Sequence, residues 1–539
     1  MRFFLSLLLG VTFMIAQSQT NSDPYIHKTL IKVHSINEAI MDSLSAFNVI
    51  PISCRGSILE SDLIVDSLTI SWLNSNNISF SIIQNNMAKM IDLEMESIKK
   101  IKNQRHSNWY SVYRELDEIE ERIDDIITSG FNPETGYVTK IVIGQSYEGR
   151  DIWAIKLSSG PPSSFVEPYD KPAIVINGCQ HAREWITPMA TTYLIENLPE
   201  LYYYDDDFNL LLNEVDVYII PVVNPDGYVY TWEEDRWWRK NRQINIGSDC
   251  VGTDLNRNWD FDWNGEQSTS EDPCSYIYVG SGPFSAPETS IVSQYISSIP
   301  NLVNHIDVHN YSSLIVGPWG YSDEPTEDND EVFCLGTQMQ AAVSNANDYP
   351  YLFGTGTVNN LLYLISGGMV DWIYGGLSSL SFLYELRPAS LYYFDSNWNG
   401  LLAFDNPEEE ILPACEEFLQ GVKEMIKWTY FENCEVATGC SDPEAENYYC
   451  NTLEGEMGCL YIVDVNMPPQ ENGGYNLLEY SLPLGFVDDG SCIYSSYIES
   501  LDQNKLIIKS IDILGRESSS KGLHMDIYDD GTVEKKYIY

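Results

Sequence analysis

His181 and Glu184, in the segment NGCQHAREWITP, have the types and spacing that hold a cation. Three positions apart, on a turn or a first helical turn, both side chains reach one point. An imidazole nitrogen and a carboxylate oxygen are both good donors to a divalent metal. Another imidazole, His309, follows 128 positions later at the end of the apolar run HIDVH, where a buried ring needs a partner. Spacing alone leaves two readings open: a metal site assembled from distant segments, or a histidine hydrogen-bonded within a core.

Residues so far apart must be brought together by a large folded domain. Between about residues 106 and 429, the β-rich apolar runs KPAIVING, EVDVYIIPVVNP and HIDVHNYSSLIV alternate with amphipathic helical segments such as 113–127. That pattern predicts an α/β domain whose mixed, largely buried β-sheet is flanked by helices. The chain has 539 residues, 44% hydrophobic and 12% aromatic, which is enough for about three modules of unequal size. With 79 acidic residues against 30 basic ones, the formal net charge is −49. Such a surface repels phosphate backbones and anionic lipid headgroups, so nucleic-acid partners are not expected.

The flanks carry their own signals. Residues 1–19 read as a signal peptide: Arg2 precedes an apolar run from Phe3 to Ala16, too short to span a bilayer. No other stretch reaches 18 apolar residues, so the chain is expected to be exported and not integral to a membrane. Export makes disulfides available to the 11 cysteines, five of which (Cys434, Cys440, Cys450, Cys459 and Cys492) crowd one late segment. Residues 20–105 read as a small α+β unit ending in the basic cluster Lys99, Lys100, Lys102 and Arg105, either a linker or a tryptic-type processing site. Residues 106–432 form the expected main domain, 433–496 a cysteine-containing module and 497–539 a β-rich tail.

HAREW, NPDGY, WRKNR, DLNRNW, HNYS, SGGMVDW and YELR occur in one order along 106–430, and in that order the chain resembles the zinc metallocarboxypeptidases of the carboxypeptidase A type. The upstream unit resembles the antiparallel propeptide that blocks the site of the zymogen. The resemblance implies that His181, Glu184 and His309 hold one zinc ion, with a fourth position left for water. It implies that Asp254 hydrogen-bonds the first ligand histidine, that Glu385 is the general base and that Arg239 stabilises the oxyanion. Asn256 and Arg257 would bind the substrate's terminal carboxylate, Tyr363 would close over its last residue, and Arg183 would contact it further upstream. Cys250 and Cys274 match a family disulfide, whereas Cys179 matches no ligand and is read as a small buried thiol.

For the terminal side chain, Val370 falls at the base of the family's pocket, with Leu362 and Leu383 at other pocket positions, which implies apolar or aromatic C-terminal residues. Asp307 lies two residues before His309 on the same strand face and is a candidate for the pocket floor, where an acid would admit a basic residue. Phe404, in preference to Phe394, matches the pocket-mouth phenylalanine, with a last helix expected at Cys415 to Thr429. The acidic turn at FVDDGSC could bind calcium but falls short of an EF-hand loop, so it is read first as a solvated turn and calcium is left unsupported. The last stretch resembles the C-terminal sorting tails by which Bacteroidetes-type bacteria use type IX secretion. Taken together, the resemblances imply as partners outer-membrane secretion machinery, an activating protease, and peptide or protein C-termini. The resulting expectation is a secreted or cell-surface zinc carboxypeptidase zymogen of a bacterium. Alternatives are a peptidase of basic C-terminal residues or cell-wall peptides, and a catalytically silent surface-binding protein.

Overall fold

In a computed structural model of the chain, the structure describes residues 20, 22–34, 49–52, 60–104, 108–129, 138–158, 171–355, 363–389 and 408–431, with isolated positions such as Phe404 and short strands beyond them. The expected signal peptide, Arg105, Leu362 and the five late cysteines lie outside the described residues.

Near the N-terminus, β1 (Thr29–His34), β2 (Ile50–Pro51), β3 (Glu60–Val65) and β4 (Phe80–Gln84) form an antiparallel sheet in the order β2-β3-β1-β4. Helices α1 (Ser67–Ser75) and α2 (Met87–Lys102) complete the unit. Each helix starts on a side-chain cap, Asp66 accepting from the Thr69 amide and Asn86 from the Lys89 amide, which satisfies donors that the helix itself cannot. Strand alternation gives β1 two apolar faces. Ile31 and Val33 pack with Leu63, Val65 and Leu73, whereas Leu30 packs with Ile50, Ile64, Met87 and Ile91 and with Trp237 and Phe404 of the main domain. Lys99, Lys100 and Lys102 belong to the last turn of α2, where cations face the carbonyl end of the helix dipole. The basic cluster up to Lys102 is thus helical rather than a linker.

The main domain contains α3 (Leu116–Ser129), β5 (Val138–Gln145), β6 (Asp151–Leu157), β7 (Ala173–Gly178), α4 (Ile186–Tyr204), α5 (Asp206–Glu214), β8 (Asp216–Ile220), α6 (Pro225–Glu233) and α7 (Pro287–Ser297). It continues through β9 (Leu302–Asn310), β10 (Leu314–Gly317), α8 (Asn329–Ala346), β11 (Leu352–Thr355), β12 (Leu380–Leu386) and α9 (Glu408–Phe431). Its eight strands form one sheet, β11-β10-β12-β9-β7-β8-β6-β5, in which the central run β12-β9-β7-β8 is parallel and antiparallel pairs flank it. Ile174, Ile176, Ile306, Val308, Phe382 and Tyr384 face one large core with α3, α4, α8 and α9. The opposite face packs Ala173, Val175 and Ile220 against Val292 and Ile296 of α7. The sheet is therefore buried on both sides, as its apolar runs require, and the expected mixed α/β class is observed.

The chain divides into two compact units, and the second comprises residues 439–451 and 488–539. In that second unit, strands Ile507–Asp512, Gly522–Tyr528 and Val533–Ile538 form a three-stranded antiparallel sheet. Among the described residues, no helix is long and apolar enough to cross a membrane.

Candidate active site

The C-terminal ends of the parallel strands β7, β9 and β12 meet at one edge of the sheet, the place where open α/β sheets offer a crevice. Beyond β7, a turn in which the Glu184 amide donates to the His181 carbonyl at 3.2 Å brings those two side chains together before α4 begins. On β9, His305, Asp307 and His309 share one face, opposite Ile306 and Val308 in the core. The register pairs Ser381 with His305, Leu383 with Asp307 and Glu385 with His309, so Glu385 of β12 is delivered beside the second histidine.

Three donors converge in this crevice. His181 Nδ1 lies 2.8 Å from Glu184 Oε1, and His309 Nδ1 lies 3.1 Å from both Glu184 Oε2 and His181 Nδ1. Their ligand atoms all fall within 4.8 Å of one another, and all three residues are buried. Two imidazole nitrogens facing each other across a carboxylate fit a single divalent cation, and a set of two histidines and one glutamate suits zinc. His181 Nε2 donates to Asp254 Oδ1 at 3.1 Å, which leaves the Nδ1 lone pair for a metal. Arg239 Nε and Nη2 both donate to Asp254 Oδ2 at 3.0 Å. Although burial raises it, the Arg239 and Arg257 guanidiniums hold the Asp254 carboxyl well below the usual range.

Glu385 lines the same crevice, and its Oε2 is buried without a hydrogen-bond partner. Burial pushes its carboxyl up to about 8, well above the ordinary carboxylate range. Arg257 Nη2 is likewise buried and unpartnered, its Nε and Nη1 being tied to the Ser268 and Asn256 carbonyls at 2.8 Å. Asn256 Oδ1 accepts from the Met369 amide at 2.9 Å, which turns the NH2 end of this side chain toward the crevice. Asn256, Arg257, Tyr363, Arg183 and Arg239 all line it. The Cys250–Cys274 disulfide brackets this loop, and the buried thiol of Cys179 is free.

An adjoining pocket is lined by Val316, Gly317, Gly320, Tyr363, Ile365, Met369, Val370 and Leu383. Gly367, next to it, sits at φ +71°, and a Cβ there would lie 2.6 Å from the Arg257 carbonyl, so the SGG turn needs this glycine. Asp307 does not line the pocket. The strand alternation that places it beside His309 also turns it under that ring, where His309, Asn177 and Gln180 take up its oxygens, so the expectation of a pocket-floor acid is corrected. The carboxylate that does line the pocket is Asp371, which sequence reasoning passed over although it follows Val370 directly. Its oxygens accept from the Gly320 amide at 2.7 Å and the Tyr321 amide at 3.0 Å, and burial, opposed by those donors, pushes it up to about 7.

The N-terminal unit reaches into the crevice. Ile52 is one of its lining residues, and the Ile52 carbonyl accepts from Arg183 Nη2 at 2.9 Å. Arg236 is paired with Glu94 of α2 at 3.0 and 3.1 Å and also donates to the carbonyl of Phe404, a residue that itself lines the crevice. Tyr25 donates to Asp235 at 2.5 Å. No signal in the isolated sequence marks Ile52, because its contribution is a backbone carbonyl.

Residues 132–421 match the family described as zinc carboxypeptidase. A carboxypeptidase A4 of Mus musculus is 32% identical over 372 residues, 68% of this chain and 83% of that relative. A carboxypeptidase B2 of Rattus norvegicus is 34% identical over 365 residues, 67% and 81% of the two chains. Among solved structures, a carboxypeptidase A from Helicoverpa armigera aligns with a TM-score of 0.64 at 25% identity, over 75% of this chain and 98% of that one. The structure of thrombin activatable fibrinolysis inhibitor aligns with a TM-score of 0.62 at 29% identity, over 75% and 99%. A-type and B-type relatives both occur, so similarity by itself leaves the terminal residue open.

Proposed function

Because the chain belongs to the zinc carboxypeptidase family, we propose that it is a secreted zymogen that hydrolyses the last peptide bond of its substrates and releases single, apolar C-terminal residues. The observation that carries this reading is the orphaned carboxylate oxygen of Glu385 beside the His181, Glu184 and His309 cluster. A zinc ion bound there would polarise the scissile carbonyl and acidify the attacking water. Glu385, whose free carboxylate oxygen lines the crevice, would take a proton from the attacking water and return it to the leaving amine. Arg239, fixed by Asp254 and lining the crevice, places its guanidinium charge where the oxyanion develops. Arg257 Nη2 and the Asn256 amide offer two convergent donors for a free carboxylate, the feature that restricts cleavage to chain ends.

The pocket supports an apolar terminal residue. Val316, Val370 and Leu383 form its walls, and Asp371, occupied by two backbone amides, is a poor counterion for Lys or Arg. The placement of Ile52 over the crevice supports latency that ends when an activating protease removes the N-terminal unit. The signal-like N-terminus and the sorting-like tail support export to the cell surface.

The test is residue release from matched peptides ending in Phe, Leu, Lys or Glu. Full-length protein is assayed before and after treatment with trypsin that is then inhibited, with and without a zinc chelator. Chelator-sensitive release of Phe and Leu only after trypsin is expected. Full activity before trypsin overturns the zymogen reading, preferential Lys release overturns the apolar pocket, and no release from any peptide overturns the enzyme.

A further inference from the structure

The two ligand histidines are braced differently, and we infer that Asp307 is the positioning residue of the second, locking His309 with its Nδ1 lone pair aimed at the metal. This inference rests on the zinc-peptidase reading. His309 Nε2 lies 2.8 Å from Asp307 Oδ2, and Asp307 is fully buried. The carboxylate is itself fixed: Asn177 Nδ2 donates to Oδ1 and Gln180 Nε2 to Oδ2, each at 2.7 Å. Both amides are oriented in turn, because the His305 ring donates to Asn177 Oδ1 at 2.7 Å and Trp259 Nε1 donates to Gln180 Oε1 at 3.0 Å. Every oxygen along this chain faces a donor, so Asp307 can only accept, and the one proton it can draw from His309 is Nε2–H.

Asn256 Nδ2 lies 3.1 Å from the same Nε2, and an amide donor has nothing to give to a nitrogen that carries a proton. With Nε2–H given to Asp307, the amide protons of Asn256 stay available to a substrate carboxylate. Asp307 thereby orients a metal ligand and frees a substrate-binding group at once.

Asp254 and Asp307 also differ in charge balance. Asp254 shares its second oxygen with the Arg239 guanidinium, whereas, among the described residues, no Lys or Arg pairs with Asp307. A dry carboxylate held only by neutral amides is costly by itself and gains most from a dication on the far side of the ring it supports. Zinc loss should therefore destabilise this protein more when Asp307 is present than when it is neutralised.

Zinc-loaded full-length protein, Asp307→Asn and Asp307→Ser are compared for the rate of zinc transfer to a chromophoric chelator and for urea midpoints with and without zinc. The two Asp307 variants should hold zinc about 10–100-fold more weakly and show a smaller midpoint loss on chelation. A zinc affinity and chelation loss equal to the parent's overturn the inference. Wild-type protein labelled with 15N at its seven histidines supplies a readout that needs no folded variant. An exchange-protected proton on His309 Nε2 supports the assignment, and a bare Nε2 overturns it. Failure of wild-type protein to bind zinc would instead overturn the underlying function.

Discussion

Two cavities share Asn256, Tyr363, Ile365 and Leu383 yet are built on opposite principles. In the crevice, polar atoms are aimed by other polar atoms: Asp254 by Arg239, His181 by Asp254, His309 by Asp307. In the pocket, branched aliphatic walls and glycines leave a shape, and its one carboxylate is consumed by backbone amides. Chemistry here depends on fixed donors and acceptors in a dry site, where a misdirected atom is expensive. On the proposed function, selection of the terminal residue would depend on volume and on the absence of a free charge.

This contrast predicts large effects in the crevice and graded ones in the pocket. Glu385→Gln should bind zinc and peptide normally while kcat falls by about 10²–10⁴-fold, as measured by metal content and steady-state hydrolysis; near-normal turnover would leave the crevice without its base. Arg239→Gln should lower kcat by about 10²–10³-fold with a smaller change in KM, since the oxyanion forms only after binding.

The polar layer beneath the crevice should announce itself in stability. Burial holds the His305 imidazole down to about 4, between Ser381 and Asn177. Below pH 6.5 the unfolded chain takes up a proton that the folded ring refuses, so its contribution is present above 6.5 and is lost as pH falls toward 4. The shift corresponds to a loss on the order of 3 kcal/mol. Urea titrations from pH 7 to 4 should show a shallower decline for His305→Gln than for the parent, and parallel curves would mean that the ring is already charged in the fold. The smallest effect belongs to the pocket: Val370→Asp should cut kcat/KM for Leu- or Phe-ended peptides by about 10–200-fold and raise it for Lys, with kcat on the best substrate little changed. An equal loss on every peptide would show that the two cavities are not separable.

Much of this was legible in the residues. Apolar β-rich runs marked β7, β8 and β9, and the HAREW spacing placed His181 with Glu184. The alternation along β9 correctly put Asp307 and His309 on one face, but a face is not a destination. Whether Asp307 met the pocket or the ring depended on Asn177 and Gln180, which come from β7 and the turn after it and carry no distinguishing pattern. Asp371 was in view and left without a role, because its partners are amides of Gly320 and Tyr321, about fifty residues away.

By itself, the sequence determined the mixed α/β class and the apolar character of Val370 and Leu383, since periodicity and residue chemistry are local properties, and its ordered motifs pointed to His181, Glu184 and His309 through a family resemblance. Only the tertiary structure decided which carboxylate supports which group, which one lines the pocket, and that the Ile52 carbonyl lies against Arg183 over the crevice. Those outcomes turn on strand register and on single hydrogen bonds between distant segments, and neither is fixed until the whole sheet has closed.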